Sequence, residues 1–214
     1  MSKKEKAMSR RHHQSDVIIQ DNTKYDDINF KGLLQSDYDI EAKSLNGMGE
    51  LNTARNITVE QLKFKGRFKA GHVHAVNIKI HGRVQAESLS AENIKIVAGR
   101  KCTVGSIHGD NIELRRDGDA QRDIKLLEGI LKLVHIDPHD ILSHTSNNED
   151  AQTSPFLALE IEGTNIDLTN IRSKSVMGVS VVLKGNCQID KVVYSDSLVI
   201  DESCNVKSIQ KQEI

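Results

Sequence analysis

The residues best suited to chemistry are three cysteines that occupy equivalent places in a repeated sequence pattern. Cys187 and Cys204 are 17 residues apart, and Cys102 precedes the same apolar pattern in another repeat. On adjacent turns of the chain, two such Cα atoms would lie within the ~4.4–6.8 Å that a disulfide requires. A free cysteine is also a good small core residue. The sequence therefore predicts stacked core thiols, with a disulfide or a metal-binding pair as the alternative.

Histidines are the other residues that could bind a metal ion. His135, His139 and His144 follow one another closely, but no cysteine or regular carboxylate pattern joins them. Zinc needs three or four ligands in a compact set. We predict no metal and no cofactor. The sequence also shows no carboxylate pair, Ser/His/Asp set or phosphate-binding loop, so we predict neither an enzyme nor a small-molecule substrate.

Basic side chains recur at the same place in successive repeats and would form columns. Lys63, Lys79 and Lys95 share one outward position, and Arg67 and Arg83 share another. Like charges opposite each other on neighbouring strands cost stability, so the columns indicate a surface for an acidic partner or lipid. A solvated face with counterions is the alternative. Nucleic acid is not an expected partner, because the net charge is −1 and aromatic residues make up only 3% of the chain.

The equivalence of these positions follows from a sequence repeat of 15 to 18 residues. The phrase VHAVNIKI (73–80) returns as LSAENIKI (89–96), IHGDNIEL (107–114) and IEGTNIDL (161–168). Apolar and polar residues alternate within each unit, which is typical of strands with one buried face. The central apolar positions of the units are Ile28, Leu45, Leu62, Ile78, Ile94, Ile112, Ile166, Val181 and Leu198.

Short strands in units of this length predict an all-β fold, a right-handed parallel β-helix of about nine coils stacked at ~4.8 Å. The alternative, a β-sandwich, would not repeat its side chains in register. Left-handed β-helices usually show strict hexapeptides, whereas the units here are mostly 16 or 17 residues long. We expect the recurring asparagines to form a tight, left-handed corner of each coil and a ladder along the axis. They are Asn77, Asn93, Asn111 and Asn165.

Residues 1–27 precede the repeat and begin with a basic stretch. We expect a disordered tail that could contact a partner or a lipid surface. Val17, Ile18 and Ile19 could instead fold back as a cap over the first coil, or touch lipid. The basic residues of this tail are Lys3, Lys4, Lys6, Arg10 and Arg11.

Residues 115–156 interrupt the β-helix between its first part, 28–114, and its second part, 157–209. Apolar residues at helical spacing within 123–134 predict a short helix in this inserted segment. Residues 210–214 form a short C-terminal tail. No stretch approaches the ~20 apolar residues of a membrane-spanning helix and no signal peptide is evident. With three cysteines, this indicates a soluble, cytoplasmic protein, peripheral at most to the inner face of the membrane.

The units IKIHGRVQAESLSAENIKI (78–96) and VVLKGNCQIDKVVYSDSLVIDESCNVKSI (181–209) resemble bactofilins, the polymer-forming bacterial cytoskeletal proteins. The similarity is greatest to the variant of Gram-positive bacteria and covers roughly 28–114 and 157–209. The resemblance implies a right-handed β-helix that assembles end to end into filaments without nucleotide. It also implies that such filaments scaffold partners at the membrane or cell wall. The segment 115–156 departs from the compact family core.

The ends of a β-helix independently favour assembly, because they leave unpaired strand edges and a cross-section of core exposed. We therefore predict a structural protein whose main partner is a second copy of itself. The alternative is a β-helix regulatory module that dimerises and binds an acidic partner through the basic face. We expect QKQEI (210–214), which follows the last coil, to be too short for much of a cap. The predicted polymer contacts are Ile28, Phe30 and Leu34 at one end and Leu198, Ile200, Val206 and Ile209 at the other.

Overall fold

The computed structural model describes residues 11–13, 16–21, 23–99, 101–116 and 156–213. Within these ranges the chain forms ten β-strands and no helix. The strands are β1 (Arg11–His13), β2 (Val17–Ile19), β3 (Lys24–Ser36), β4 (Ile40–Thr53), β5 (Ile57–Ala98), β6 (Cys102–Arg116), β7 (Phe156–Thr169), β8 (Ile171–Lys184), β9 (Gln188–Ile200) and β10 (Asn205–Lys211).

The strands pair in parallel, and their order in space is nearly their order in sequence: β1-β3-β4-β5-β6-β7-β8-β9-β10, with β2 also beside β3. The register advances by one sequence repeat from coil to coil. Ile28 pairs with Leu45 and Leu45 with Leu62, and near the other end Val181 pairs with Leu198. The result is a β-solenoid of about nine turns, which confirms the predicted all-β parallel β-helix. The right-handed winding stays a prediction.

The core is made of inward rows of aliphatic side chains, one residue from each coil in every row. In the N-terminal half, aromatic rings fill the wider gaps. The ring centroids of Phe30 and Phe64 are 6.0 Å apart, and those of Phe64 and Phe68 are 5.5 Å apart. Gly47 lies between Phe30 and Phe64 in the same inward row, and a Cβ there would meet the Phe30 ring at 2.5 Å. Glycine at this position therefore makes room for the two rings.

The predicted asparagine ladder is present along the rod. The side-chain amides of Asn93, Asn111 and Asn165 each donate to the side-chain oxygen of the asparagine one coil before, at 2.9 Å in every case. The expected left-handed backbone at these residues is wrong. In the described part of the chain, Lys101 and Asn170 are the only non-glycine residues with a positive φ. The stacking of amides between coils, rather than a strained corner, accounts for the recurring asparagine.

A different corner carries the unusual backbone conformation. Gly32, Gly49, Gly66 and Gly82 stack on one another with φ of 125°, 124°, 134° and 135°. Each of the last three approaches the carbonyl oxygen of the glycine one coil earlier so closely that a Cβ atom would overlap it. This corner therefore needs glycine for both its backbone conformation and its close packing.

The stack of coils continues across the inserted segment. β6 ends at Arg116 and β7 begins at Phe156, yet the two strands pair directly, with Cys102 opposite Phe156 and Ile112 opposite Ile166. The second part of the β-helix therefore lies on the first as its next coil. The helix predicted within 123–134 and the nearby histidines lie outside the described residues.

The strand register begins before residue 28, where the sequence repeat first becomes recognisable. β1 pairs with β3 so that Arg11 lies opposite Ile28, and β2 pairs so that Val17 lies opposite Leu34. The side chain of Ile19 is 5% exposed, and the carboxylate of Asp16 accepts a hydrogen bond from the Leu33 amide at 2.9 Å. Residues 17–19 thus cover the first coil. Strand pairing begins closer to the N-terminus than the recognisable side-chain repeat does. The sequence therefore placed the start of the β-helix too late.

Candidate assembly and binding surfaces

The C-terminal end of the rod exposes the apolar interior of its last coil. β10 pairs with β9, and among the described residues no strand lies on its other edge. Ile209 continues the inward row of Val192, but Val192 is fully buried and Ile209 is 51% exposed. Leu198, Ile200 and Val206 are half-buried on the same coil. The four residues predicted for this end therefore lie together on an uncovered coil.

The N-terminal end differs from the prediction. Ile28, Phe30 and Leu34 were expected to form its surface, but they are 6%, 4% and 0% exposed. They are buried because β1 and β2 pair along the outer edge of β3. The surface of this end is instead made by β1 and β2, where Ile18 is 65% exposed.

The predicted lysine column lies along one shallow groove beside the asparagine ladder. Lys95 is ion-paired, because its Nζ lies 2.6 Å from a carboxylate oxygen of Glu113, which Arg115 also contacts at 3.0 Å. Lys63 and Lys79 are exposed and form no ion pair with any described residue. The column is therefore positively charged at its N-terminal positions and compensated where Glu113 begins.

The arginine column lies across the glycine corner from these lysines. Arg67 is 3.7 Å from a carboxylate oxygen of Glu50, a distance at which an exposed pair contributes little to stability. Arg83 makes no ion pair within the described ranges. Of the basic tail residues, Lys3, Lys4, Lys6 and Arg10 lie outside the described residues, while Arg11 opens β1.

Three further basic residues lie beside the lysine column, and the sequence analysis did not identify them as part of this surface. Lys31, Lys65 and His81 line a groove together with Lys63 and Lys79. In each coil they occupy the outward position that lies two residues after the position of the lysine column. The alternation of inward and outward positions within each strand was the signal that could have found them.

The three cysteines share one inward row and are all free thiols. Phe156 and Ile171 separate Cys102 from Cys187, whereas Cys187 and Cys204 lie on adjacent coils. Cys102 and Cys187 are buried and Cys204 is half-buried. The predicted stacking of core thiols is confirmed for Cys187 and Cys204. Burial, with the neighbouring Cys204 thiol adding to it, raises the pKa of Cys187 to about 11.

We expect the cysteines to differ sharply in reactivity toward an alkylating reagent. Cys204 is partly open at the end of the rod, whereas the raised pKa of Cys187 lowers its thiolate population about 100-fold near neutral pH. At pH 8, and at a protein concentration low enough to keep the folded rods apart, mass spectrometry should find Cys204 modified first. Cys102 and Cys187 should react only after addition of denaturant. Equal rates for Cys187 and Cys204 in the folded protein would contradict the described packing.

Two histidines of the β-helix, His72 and His108, form pairs with carboxylates. Nε2 of His72 lies 3.2 Å from Glu87, and Nδ1 of His108 lies 3.5 Å from Glu162. Within the described ranges no group of three potential metal ligands comes together. Exposed pairs of this kind act as local surface contacts and contribute little to stability.

Together, the parallel register, the inward rows and the open final coil define the class of this protein as a parallel β-helix repeat protein. A protein of Bacillus subtilis (strain 168), described as uncharacterized protein YhbE, is 41% identical to it over 58 residues. That match covers 27% of this chain and spans about a quarter of the relative, 24% of its length. No family model matches the chain, and no solved structure matches it. In the described part of the chain, no helix could span a membrane.

Proposed function

We propose that this protein is a non-enzymatic structural protein that assembles end to end into filaments without nucleotide. The observation that carries the proposal is the uncovered C-terminal coil, where Ile209 continues a buried row yet is 51% exposed. An apolar side chain of this size gains about 1.5–3 kcal/mol when it is fully buried. A further coil supplied by a second copy would provide that burial.

The strand edge supports the same proposal. The outer edge of β10 offers backbone donors and acceptors in the geometry with which β9 binds β10. Exposed strand edges readily pair with another chain. β10 offers seven residues for such pairing. The half-buried Leu198, Ile200 and Val206 on the same coil would add apolar contacts. Hydrogen bonds along the edge would set the orientation of the contact and the apolar side chains would supply most of its stability.

The resemblance to bactofilins extends the proposal to the cell. On this basis the filaments are cytoskeletal, lie in the cytoplasm and scaffold partner proteins at the inner face of the membrane or at the cell envelope. The protein itself then needs no active site and no cofactor, because its role is to repeat a binding surface along a filament.

The proposal is tested by measuring the mass of the purified protein in solution without nucleotide. Sedimentation velocity across a range of protein and salt concentrations should show large species that grow with protein concentration. Because the end contact is apolar, these species should persist at high salt. Monomers or dimers at every concentration would contradict the proposal.

A second candidate function is a regulatory module that binds an acidic partner, and the unpaired Lys63 and Lys79 favour it. Charge reversal of Lys63, Lys79 and Lys95 separates the two functions. It should abolish partner binding by a regulatory module. It should leave assembly intact if the protein is a filament-forming scaffold, since none of the three lies on an end coil.

A further inference from the structure

One side of the rod carries an excess of lysine that no carboxylate of the described residues neutralises. We call it the lysine face. It consists of the outward positions of β3, β4 and the first half of β5 beside the asparagine ladder. Among its eight side chains there is no carboxylate and no arginine. These residues are Asn29, Lys31, Asn46, Met48, Lys63, Lys65, Lys79 and His81.

The same rows are partly neutralised further along the rod. Lys95 pairs with Glu113 at 2.6 Å, and Lys184 pairs with Asp167 at 2.6 Å. Glu113 also contacts Arg115 at 3.0 Å, so the positive charge is concentrated in the N-terminal half of this side without being confined to it. Since lysines stacked on adjacent strands repel one another, their concentration there lowers the stability of the isolated rod. This cost indicates an anionic surface that the lysine face meets.

The basic start of the sequence enters the fold at the same place. β1 places His12 opposite Asn29, in the row that continues through Asn46 to Lys63. The residues immediately before it, from Lys3 to Arg11, are rich in lysine and arginine. The strand register therefore places His12 at the N-terminal end of a row of the lysine face.

The side chains of the lysine face suit a lipid surface better than a single acidic peptide. Lysine is a flexible point charge, whereas the specific recognition of a carboxylate or phosphate group commonly uses the fixed fork of arginine. The face is a shallow, open groove, and Met48 stands 48% exposed among the charges. An anionic lipid surface attracts lysine without fixed geometry, by about 1 kcal/mol for each lysine near it. We propose that the lysine face binds the surface of an anionic phospholipid bilayer.

The strength of this contact depends on assembly. Each lysine held near an anionic bilayer strengthens binding about fivefold, so the four lysines of one rod give only a weak contact. A filament that repeats the face would bind far more tightly through multivalency. This inference deepens the proposed function. Tight membrane binding rests on filament assembly, whereas the presence of a lipid-binding site on each rod does not.

The test is flotation through a density gradient with vesicles of phosphatidylglycerol and phosphatidylcholine, compared with vesicles of phosphatidylcholine alone, because filaments without lipid sink whereas vesicle-bound protein rises. The wild-type protein should bind only the vesicles that contain phosphatidylglycerol, and less at high salt. The double variant Lys63→Glu/Lys79→Glu should lose at least about 25-fold in affinity. The matched control is Lys69→Glu/Lys174→Glu, which makes the same change in net charge at exposed positions on another side of the rod and should keep most of the binding.

A second variant guards against misfolding. Lys63→Gln/Lys79→Gln removes the charges without placing carboxylates on neighbouring strands, and it should still lose about 25-fold. Vesicle binding that is unchanged in both lysine-face variants would overturn the inference. Binding to polyglutamate but not to vesicles would also overturn it, and would favour an acidic protein partner.

The two proposals can fail separately. If sedimentation without vesicles shows filaments that do not bind phosphatidylglycerol, only the lipid inference is wrong. If the protein never assembles but binds these vesicles weakly through Lys63 and Lys79, the lysine face is supported and the proposed filament is wrong.

Discussion

Replacing Gly66 with valine is expected to lower the free energy of unfolding by about 3 kcal/mol or more. Gly66 has φ of +134°, a conformation that a β-branched residue avoids. A Cβ at this position would also overlap the carbonyl oxygen of Gly49 in the neighbouring coil. The two coils could accommodate it only by separating, which would weaken their shared hydrogen bonds. Chemical denaturation followed by circular dichroism measures the loss.

The matched control is Gly99→Ala. Gly99 donates its amide to the carbonyl of Gly82 at 2.7 Å, so it also lies on this corner. A Cβ there would come no closer than 3.4 Å to any atom, which is ordinary contact. We expect alanine at 99 to change stability by less than about 1 kcal/mol. Equal effects of the two substitutions would show that the glycine stack does not determine how closely the coils pack.

Ile209→Glu is expected to weaken assembly about 100-fold or more while leaving the β-helix folded. In the isolated rod the side chain of Ile209 is 51% exposed, so a carboxylate there can remain in water. In an end-to-end contact the same carboxylate would be buried without a partner, which commonly costs 3–5 kcal/mol. Sedimentation velocity should show filaments reduced to monomers, or to dimers joined through the N-terminal end. An unchanged thermal melt would establish that the rod itself is intact.

Val199→Glu provides the control for this substitution. Val199 lies on the last pair of coils and is 57% exposed, close to the value for Ile209. Its row, however, points to the side of the rod, where it follows Val182. A carboxylate at 199 should therefore leave end-to-end assembly intact. If it disrupted assembly as strongly as Ile209→Glu, lateral packing rather than stacking of ends would hold the polymer together.

The sequence predicted the repeating body of the rod well, because every coil places the same residue types in the same rows. The asparagine ladder is an example, since a side chain that bonds to its own kind must recur at each turn. It offered the cap formed by Val17, Ile18 and Ile19 only as an alternative to a disordered tail, and it did not predict β1. These strands of three residues pair through the backbone, which any sequence provides, and their side chains do not follow the repeat. The burial of Ile28 and Leu34 depends on them and was missed for that reason.

The lysine column was predicted in position but not in charge. The sequence aligned Lys63, Lys79 and Lys95 because they follow one another at a constant interval. Which lysine is neutralised depends on the next coil, where Glu113 takes the place of a further lysine. Pairing between side chains is decided by the register between strands, which a column of like residues does not reveal.

The central claim is that the protein assembles by stacking the uncovered C-terminal coil against another copy. The most direct test is negative-stain electron microscopy of the wild-type protein and of Ile209→Glu, prepared together at the same concentration without nucleotide. We predict filaments of stacked rods for the wild type and none for the variant. Filaments in both samples, or in neither, would contradict assembly through this end.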